Sequence, residues 1–312
     1  MTPFAFVFPG QGSQSVGMLD AWGDHPAVRQ TLAEASDALD QDLAHLIHAG
    51  PKEALELTTH TQPVMLAAGI ACYRAWLAEG GREPAAMAGH SLGEYTALVA
   101  SGALSLADAM PLVRLRARAM QEAVPAGAGA MAAIIGLDAA TVREACAEVV
   151  ARSGDAVEPA NFNDLKQIVI SGTTAGVHAA CEVLKTRGAK RALLLAVSAP
   201  FHSSLMKPAA EVLRQRLQTV AFKVPRVPVV NNVDVAVQTT PDALRDALVR
   251  QAFGPVRWVE VMQALRARGL NHIFECGPGK VLANLARRID SELVSGGVHD
   301  PASLAETKGL LA

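Results

Sequence analysis

Gly89-His90-Ser91-Leu92-Gly93 is the stretch on which the interpretation of this sequence depends. A short apolar run, 85–88, precedes it, and a run that can form a helix, 94–100, follows it. This is the strand–turn–helix context in which Gly-x-Ser-x-Gly exposes a nucleophilic serine. The turn strains its central residue, the glycines let strand and helix approach closely, and the free N–H groups of the first helical turn would stabilise an oxyanion. We therefore take Ser91 as a candidate nucleophile, with a chance match in a glycine-rich loop as the alternative.

Composition limits the classes of protein that the chain resembles. It has 312 residues, is 50% hydrophobic and carries a formal net charge of −2. This size allows one large domain, or a large and a small one, and no basic field favours nucleic acid or anionic membrane. There is no secretory leader and no apolar stretch of membrane-spanning length, so we expect a cytoplasmic protein. The four scattered cysteines are expected to be reduced thiols, neither disulfides nor metal ligands.

The order of predicted elements indicates an α/β fold. Strands alternate with helices on both sides of a central region, which predicts a mainly parallel sheet flanked by helices, hydrolase-like in its serine turn. Within 127–197 the order changes to β-α-β-β-α-β, which is typical of a ferredoxin-like unit. We predict a large domain formed by 1–126 and 198–312, with a small ferredoxin-like subdomain, 127–197, inserted into it. The weakly patterned segment after Ser295 predicts no element.

A serine nucleophile needs a base within hydrogen-bond reach, and the chain has nine histidines. His45 and His48 lie three residues apart on a predicted helix with no third ligand nearby, so we interpret them as surface polar residues. His90 is expected to point away from Ser91, because neighbouring side chains at a strand end face opposite sides. His202 ends a predicted buried strand at a helix start, where a loop residue can face a cleft. It is the preferred base, and a structural histidine is the alternative.

The acid of an ordinary hydrolase triad is missing between Ser91 and His202. The candidates in that interval lie at predicted helix caps or turns, and none follows a strand of the main sheet: Asp108, Asp138, Asp155 and Asp164. We expect a backbone or amide carbonyl to orient the histidine instead.

Two further features are ambiguous from the residues alone. The loop 9–14 follows a buried strand, 4–8, but lacks the residues of a nucleotide site, so it is either a tight turn or a loop that presents amides to a ligand. Arg114, Arg116 and Arg118 alternate along a predicted helix and cannot form one stripe, and composition favours solvated side chains for all three.

Nine motifs together resemble the malonyl-CoA:acyl carrier protein transacylase family of fatty-acid synthesis, over residues 4 to about 290. They are Pro9-Gly10-Gln11-Gly12-Ser13-Gln14, Thr61-Gln62-Pro63, Gly89-His90-Ser91-Leu92-Gly93-Glu94, Arg116 with Met120-Gln121, Asn161-Phe162-Asn163, Phe201-His202, Val229-Val230-Asn231-Asn232, Arg250-Gln251 and Gly277-Pro278-Gly279-Lys280. Where family members often have Ser-Pro-Gly-Gln, this chain has Asp164-Leu165-Lys166-Gln167, so we assign no substrate role to Asn161 or Asn163.

The resemblance implies a role for each member of the site. Ser91 would be acylated, His202 would be the general base, and the main-chain carbonyl of Gln251 would orient that histidine. The amides of Gln11 and Leu92 would form the oxyanion hole.

Specificity follows from the same resemblance. Arg116 would bind the free carboxylate of the malonyl group bidentately, which overturns the composition-based expectation for this one arginine. Phe201 and Leu92 resemble the malonyl-selective version of related polyketide synthase domains.

The expected reaction is malonyl transfer from malonyl-CoA to the phosphopantetheine thiol of acyl carrier protein, with no cofactor and no metal. The enzyme is expected to be a monomer and to dock an acidic carrier through a basic patch, with Lys190, Arg191, Arg287 and Arg288 as candidates. Alternatives are an acyltransferase of a polyketide pathway, a serine thioesterase or hydrolase, and an inactive carrier-binding subunit.

Overall fold

The structure, a computed structural model, describes residues 2–312. The strands in this part of the chain are β1 (Phe4–Phe8), β2 (Ala86–Gly89), β3 (Gly129–Ile135), β4 (Val157–Asp164), β5 (Gln167–Thr173), β6 (Arg191–Leu194), β7 (Val229–Val230), β8 (His272–Cys276) and β9 (Val294–Val298). The α-helices are α1 (Pro26–Asp37), α2 (Leu43–Ala49), α3 (Lys52–Glu56), α4 (Thr58–Ala78), α5 (Leu92–Ala100), α6 (Leu106–Glu122), α7 (Ala139–Ser153), α8 (Thr174–Thr186), α9 (Lys207–Leu217), α10 (Pro241–Phe253), α11 (Trp258–Ala267), α12 (Val281–Ile289) and α13 (Pro301–Leu310). No helix within residues 2–312 has the length and apolar content needed to cross a bilayer.

The main sheet has five parallel strands in the order β7-β2-β1-β8-β9. Its central strand, β1, is buried along its whole length, as its sequence Phe-Ala-Phe-Val-Phe predicts. Phe4, Phe6 and Phe8 pack on one side with the large core cluster, and Ala5 and Val7 pack on the other with a second cluster. Both faces of the sheet are therefore covered, which confirms the predicted α/β class.

Because the strands are parallel, the first loop and Ser91 lie at the same edge of the main sheet, where the strands have their carboxyl ends. The carboxyl end of β1 leads into the loop after Phe8, and the carboxyl end of β2, next to it in the sheet, leads into Ser91. In parallel α/β sheets this edge is where ligands bind, because the loops that follow neighbouring strands converge there. The first glycine-rich loop and the serine turn are thus brought together by the pairing of β1 with β2.

The second sheet is antiparallel, with the order β4-β5-β3-β6. Helices α7 and α8 pack on one of its faces, around a separate core that includes Ile134, Val149 and Leu184. The element order β3-α7-β4-β5-α8-β6 is the one that the sequence predicts for 127–197. We keep the predicted limits of this inserted unit as a proposal.

Main-chain hydrogen bonds join β4 of the small sheet to the segment of the large unit that precedes α11. The N–H of Phe162 on β4 donates to the carbonyl of Val256, 2.9 Å away, and the N–H of Val256 donates to the carbonyl of Ala160 at 2.8 Å. Val256 itself belongs to the core beneath the main sheet. The β4 side of the small sheet is therefore tied to the large unit by backbone hydrogen bonds.

Two local predictions were wrong. The strand before His202 ends at Leu194 and is exposed, so His202 does not end a buried strand. Helix α4 begins at Thr58, so Pro63 of the Thr61-Gln62-Pro63 motif lies inside the helix. The segment after Ser295 is not weakly structured, because β9 pairs with β8 over five residues and α13 follows with an Asp300 capping box.

Candidate active site

The serine turn has the backbone strain that its sequence predicts. Ser91 has φ 52° and ψ −106°, in the left-handed half of the Ramachandran map that side chains rarely adopt. A Cβ at Gly89 would lie 1.9 Å from the main chain of Gly93, and a Cβ at Gly93 would lie 2.0 Å from the carbonyl oxygen of Phe8. Only glycine fits at both positions, because strand β2, helix α5 and strand β1 meet there. The turn leaves the Ser91 side chain at the start of α5.

A histidine lies within hydrogen-bond distance of this serine. The Nε2 atom of His202 is 2.6 Å from Ser91 Oγ, although the two residues are 111 positions apart. On the other side of the ring, Nδ1 faces the main-chain carbonyl oxygens of Gln251 at 3.0 Å and of Gly254 at 3.1 Å. Two carbonyl acceptors require the proton on Nδ1, so Nε2 is left as an acceptor for the serine proton. This arrangement matches a Ser–His pair oriented by carbonyls.

No carboxylate stands behind this histidine in residues 2–312, because carbonyl oxygens occupy that position. The aspartates considered from the sequence are used elsewhere. Asp108 accepts a hydrogen bond from Ser105 at the start of α6, and Asp138 caps α7. Asp155 accepts a hydrogen bond from the Thr173 hydroxyl, and Asp164 accepts one from the Lys166 N–H.

Burial, the positive charge of Arg116 and the nearby His90 together lower the pKa of His202 to about 3. The two carbonyl hydrogen bonds oppose this shift but do not cancel it. With a pKa below its usual value, the imidazole is neutral at physiological pH and becomes charged only in strong acid. It is thus available as a proton acceptor over the whole neutral range.

We expect the rate of Ser91 acylation to lack an acid limb at the ordinary histidine pKa. Single-turnover measurements with a malonyl thioester should give a nearly constant rate from about pH 8 down to about pH 5, because His202 stays neutral there. Two other buried groups titrate near neutrality, Glu94 and Glu275, because burial raises the pKa of each to about 7. A limb near pH 6.5 that persists in both E94Q and E275Q variants would contradict this assignment for His202.

Arg116 is a buried cation beside the nucleophile. It is 2% exposed, on α6, and its guanidinium lies over the ring of Tyr95 at 5.3 Å. Its Nη1 donates to Gln62 Oε1 at 2.8 Å, and its Nη2 donates to Gln251 Oε1 at 3.0 Å and to Ser91 Oγ at 3.2 Å. All of these acceptors are uncharged, and Nε has no acceptor in the part of the chain that the structure describes. Arg116 lines the cavity next to Ser91, so its positive charge is available to an anion that binds there.

The first loop contributes main-chain donors to the same cavity. Gln11 and Leu92 both line it, next to Ser91. Within residues 2–312, neither of their main-chain N–H groups donates to a backbone or side-chain acceptor. Two free amides beside a nucleophile are what an oxyanion hole requires. This favours the ligand-presenting interpretation of the loop over the tight-turn alternative.

The cavity has a volume of about 440 Å³ and lies between the two sheets. The main-sheet side supplies Ser91, Arg116 and His202, and the small sheet supplies Met131 and Val169. Phe201 also lines it, which is where the resemblance places a residue that selects the acyl group. The small sheet therefore forms the wall opposite the nucleophile.

The prediction for His90 was wrong. Its side chain does not point away from the site but lines the cavity with Ser91 and His202. The ring Nε2 lies 2.8 Å from Asn163 Oδ1, across the cleft on β4, and the ring packs against Trp258 at 5.4 Å. The positive φ of Ser91 breaks the strand alternation on which the prediction rested. Burial also lowers the pKa of His90.

Three polar residues of the site were assigned no role from the sequence. Gln62 binds Arg116, Asn232 contacts the serine turn, and Glu94 accepts from Asn232 N at 2.8 Å and from Gln251 Nε2 at 3.1 Å. Each is at most 2% exposed. Glu94 carried a signal, because a charged residue in a helix that is otherwise almost wholly apolar must find buried partners.

Known proteins resemble this chain over most of its length. The family model described as acyl transferase domain matches residues 5–294. The chain belongs to the acyl transferase domain family. The family predicted from the motifs is thereby confirmed.

Relatives within this family share nearly the whole chain. It is 53% identical over 306 residues to a malonyl CoA-acyl carrier protein transacylase of Escherichia coli strain K12, covering 98% of each protein. It is 45% identical over 305 residues to a protein of the same name from Bacillus subtilis strain 168, covering 97% of this chain and 96% of the relative.

Solved structures of acyltransferases have the same fold. The crystal structure of an acyl-carrier-protein S-malonyltransferase from Burkholderia pseudomallei 1710b is 62% identical, with a TM-score of 0.97, and covers 98% of this chain and 100% of that one. A second structure, 49% identical with a TM-score of 0.96, covers 98% of this chain and 99% of its own. It holds a malonyl-transacylase in complex with its type II PKS acyl-carrier protein.

Proposed function

We propose that this acyltransferase transfers the malonyl group of malonyl-CoA to the phosphopantetheine thiol of acyl carrier protein, through an ester on Ser91, and so supplies fatty-acid chain elongation. The observation that carries the proposal is Arg116. A buried guanidinium that lines the cavity, binds uncharged acceptors and places Nη2 3.2 Å from Ser91 Oγ is suited to an acyl group that ends in a carboxylate. A neutral acetyl group would leave this cation without an anion in the cavity.

The first step acylates the serine. Ser91 Oγ attacks the thioester carbon of malonyl-CoA while its proton passes to His202 Nε2, 2.6 Å away. The N–H groups of Gln11 and Leu92 stabilise the charge that develops on the carbonyl oxygen. The C–S bond then breaks, and the CoA sulfur takes the proton back from His202 and leaves as the thiol, so the imidazole is neutral again.

The second step is the reverse of the first with another thiol. The phosphopantetheine thiol of the carrier gives its proton to His202 and attacks the ester carbon. The C–O bond breaks, and Ser91 recovers the proton. Both steps balance with Ser91, His202 and the two thiols, so the proposed reaction needs no metal or redox cofactor. Every group comes from one chain, and we propose that the enzyme acts as a monomer.

Two arms of one experiment separate transfer from hydrolysis. Radiolabelled malonyl-CoA is incubated with the enzyme, with and without holo acyl carrier protein, and both proteins are analysed by mass spectrometry. We expect a malonyl adduct on the peptide that contains Ser91 and rapid transfer of label to the carrier. Rapid release of free malonate, with no label on the carrier, would instead establish a hydrolase.

A polyketide carrier is the second candidate acceptor, because a relative at 49% identity is described in complex with one. Fatty-acid and type II polyketide carriers can be compared directly as acceptors. We expect the higher kcat/KM with the fatty-acid carrier. The opposite order would assign the chain to polyketide synthesis.

We propose that the carrier docks on Lys190, Arg191, Arg287 and Arg288. All four are exposed and lie near the β4–β5 hairpin. Arg288 contacts Asp164, the last residue of β4, at 3.4 Å. Arg191 on β6 pairs with Ile135 on β3, and Ile135 in turn pairs with Gln167, the first residue of β5. This brings the two basic pairs to one end of the small sheet, where they would attract an acidic carrier.

Reversing these charges is expected to raise KM for the carrier about tenfold, by removing long-range attraction. The variants are K190E/R191E and R287E/R288E, with R214E/R216E on α9 as a matched control. Acylation by a malonyl thioester of N-acetylcysteamine, which has no phosphate, should stay unchanged. An unaltered KM for the carrier in both variants would remove the patch.

A further inference from the structure

Asn232 makes two hydrogen bonds to the serine turn, one from each end of its side-chain amide. Its Oδ1 accepts from the main-chain N–H of Ser91 at 2.8 Å, and its Nδ2 donates to the carbonyl oxygen of Gly89 at 2.7 Å. The residue is 0% exposed. It therefore spans the turn from the residue before His90 to the nucleophile itself.

The pairing of β7 with β2 places this asparagine beside the serine turn. Strand β7 runs parallel to β2, with Val230 beside Ala88, so the residues after β7 lie beside those after β2. The main-chain N–H of Asn232 donates to the buried carboxylate of Glu94 at 2.8 Å. Strand pairing on one side and Glu94 of α5 on the other fix the backbone from which the amide reaches the turn.

The chemistry of the two contacts allows one orientation of the amide. A main-chain N–H only donates and a main-chain carbonyl only accepts, so the oxygen must face Ser91 and the nitrogen must face Gly89. The contact to Gly89 is buried and the contact to Ser91 is partly buried, where an unpaired backbone group would be costly. The contacts hold Ser91 at φ 52°, a conformation that a serine does not keep without support.

We propose that Asn232 is a positioning residue that clamps the strained turn and thereby holds Ser91 Oγ in line with His202. This rests on the proposed role of Ser91 as nucleophile. Loss of the clamp lets the turn relax and moves the hydroxyl away from the base. A displacement of about 1 Å at a reacting atom is enough to slow a reaction by about 10²-fold.

Neighbouring Asn231 provides a matched control. It is also buried, but its side chain bonds only within its own turn, to Asp234 and to the N–H of Ala236. N231A and N232A thus remove the same groups from adjacent positions, and N232A alone removes contacts to the serine turn. N232D keeps the size and the acceptor but loses the donor to Gly89.

The test measures acylation of Ser91 per folded molecule, in single turnovers with malonyl-CoA and by labelling with phenylmethylsulfonyl fluoride. In the second reaction the serine oxygen bonds to sulfur and fluoride leaves, so the clamp is tested even if malonyl transfer proves wrong. We expect N232A and N232D to lose about 10²-fold in the limiting rate with both reagents. The concentration of malonyl-CoA that gives half the limiting rate should change little, because Asn232 does not contact Arg116.

N231A is expected to lose thermal stability but to keep the acylation rate of its folded fraction. A wild-type rate in folded N232A or N232D would overturn the proposal, and so would an equal loss of rate in N231A. If N232A does not fold, the isosteric N232D decides. If neither folds, Asn232 is a folding determinant and the proposal is wrong.

Discussion

Replacing Ser91 with alanine is expected to lower the rate of malonyl transfer by at least about 10⁴-fold and to abolish the covalent adduct. The hydroxyl is the only group of the enzyme that bonds to the acyl carbon in the proposed mechanism. His202 and Arg116 remain in S91A, but neither has a nucleophile to activate. Steady-state transfer to holo acyl carrier protein gives the rate, and intact-protein mass spectrometry gives the adduct.

Ser101 is a suitable control for this variant. Ser101 is 0% exposed and follows the last residue of α5, the helix that begins after Ser91. Its hydroxyl donates to the carbonyl of Leu98 at 3.0 Å. S101A should lower stability modestly and keep the transfer rate. Undiminished transfer by S91A would place catalysis elsewhere and remove the assignment of the nucleophile.

The second large effect is expected at Arg116. R116A should lower kcat/KM for malonyl-CoA by about 10²–10⁴-fold, because the carboxylate of the substrate would be buried without a charged partner. Activity with acetyl-CoA, which has no carboxylate, should fall much less, so the preference for malonyl over acetyl should largely disappear. R116K keeps the charge but loses the planar pair of donors, and an intermediate loss is expected.

Arg118 lies on the same helix and is exposed, so R118A controls for the removal of an arginine from α6. The informative quantity is the ratio of kcat/KM for malonyl-CoA to that for acetyl-CoA. A ratio in R116A equal to that of the wild type would refute Arg116 as the carboxylate ligand. R118A should leave the ratio unchanged.

The sequence predicted the reactive side chains better than their supports. Ser91 and His202 carry signals in their own neighbourhoods, a glycine turn and a proline-bounded helix start, and the structure brings them within 2.6 Å. The contacts of Gln62 and Asn232 have no local signal. They bind residues 54 and 141 positions away, so their roles depend on how distant elements converge.

The strands of the main sheet also differ in how well their own sequences predict them. The run of β1 predicts a strand buried on both faces, and it is the centre of the main sheet. Strand β9 contains Gly296-Gly297, which disfavour a strand, and it forms because β8 offers it five pairing partners. Local propensity therefore gave no indication of the last strand, whereas tertiary pairing determines it.

The two carbonyl oxygens behind His202 bear on which acceptor can take the acyl group. A carboxylate in that position would make the imidazole a stronger base, whereas neutral carbonyls leave it a weak one. Ser91 Oγ is held 2.6 Å from this base and accepts a hydrogen bond from the Arg116 guanidinium, which favours loss of its proton, whereas a water molecule in the cavity has no such support. A thiol needs none, because its pKa of about 8.5 makes it a far stronger acid than water. We therefore expect the acyl-serine to survive in water and to react when a thiol arrives. Acidity of the acceptor, as well as its shape, would then decide where the acyl group goes.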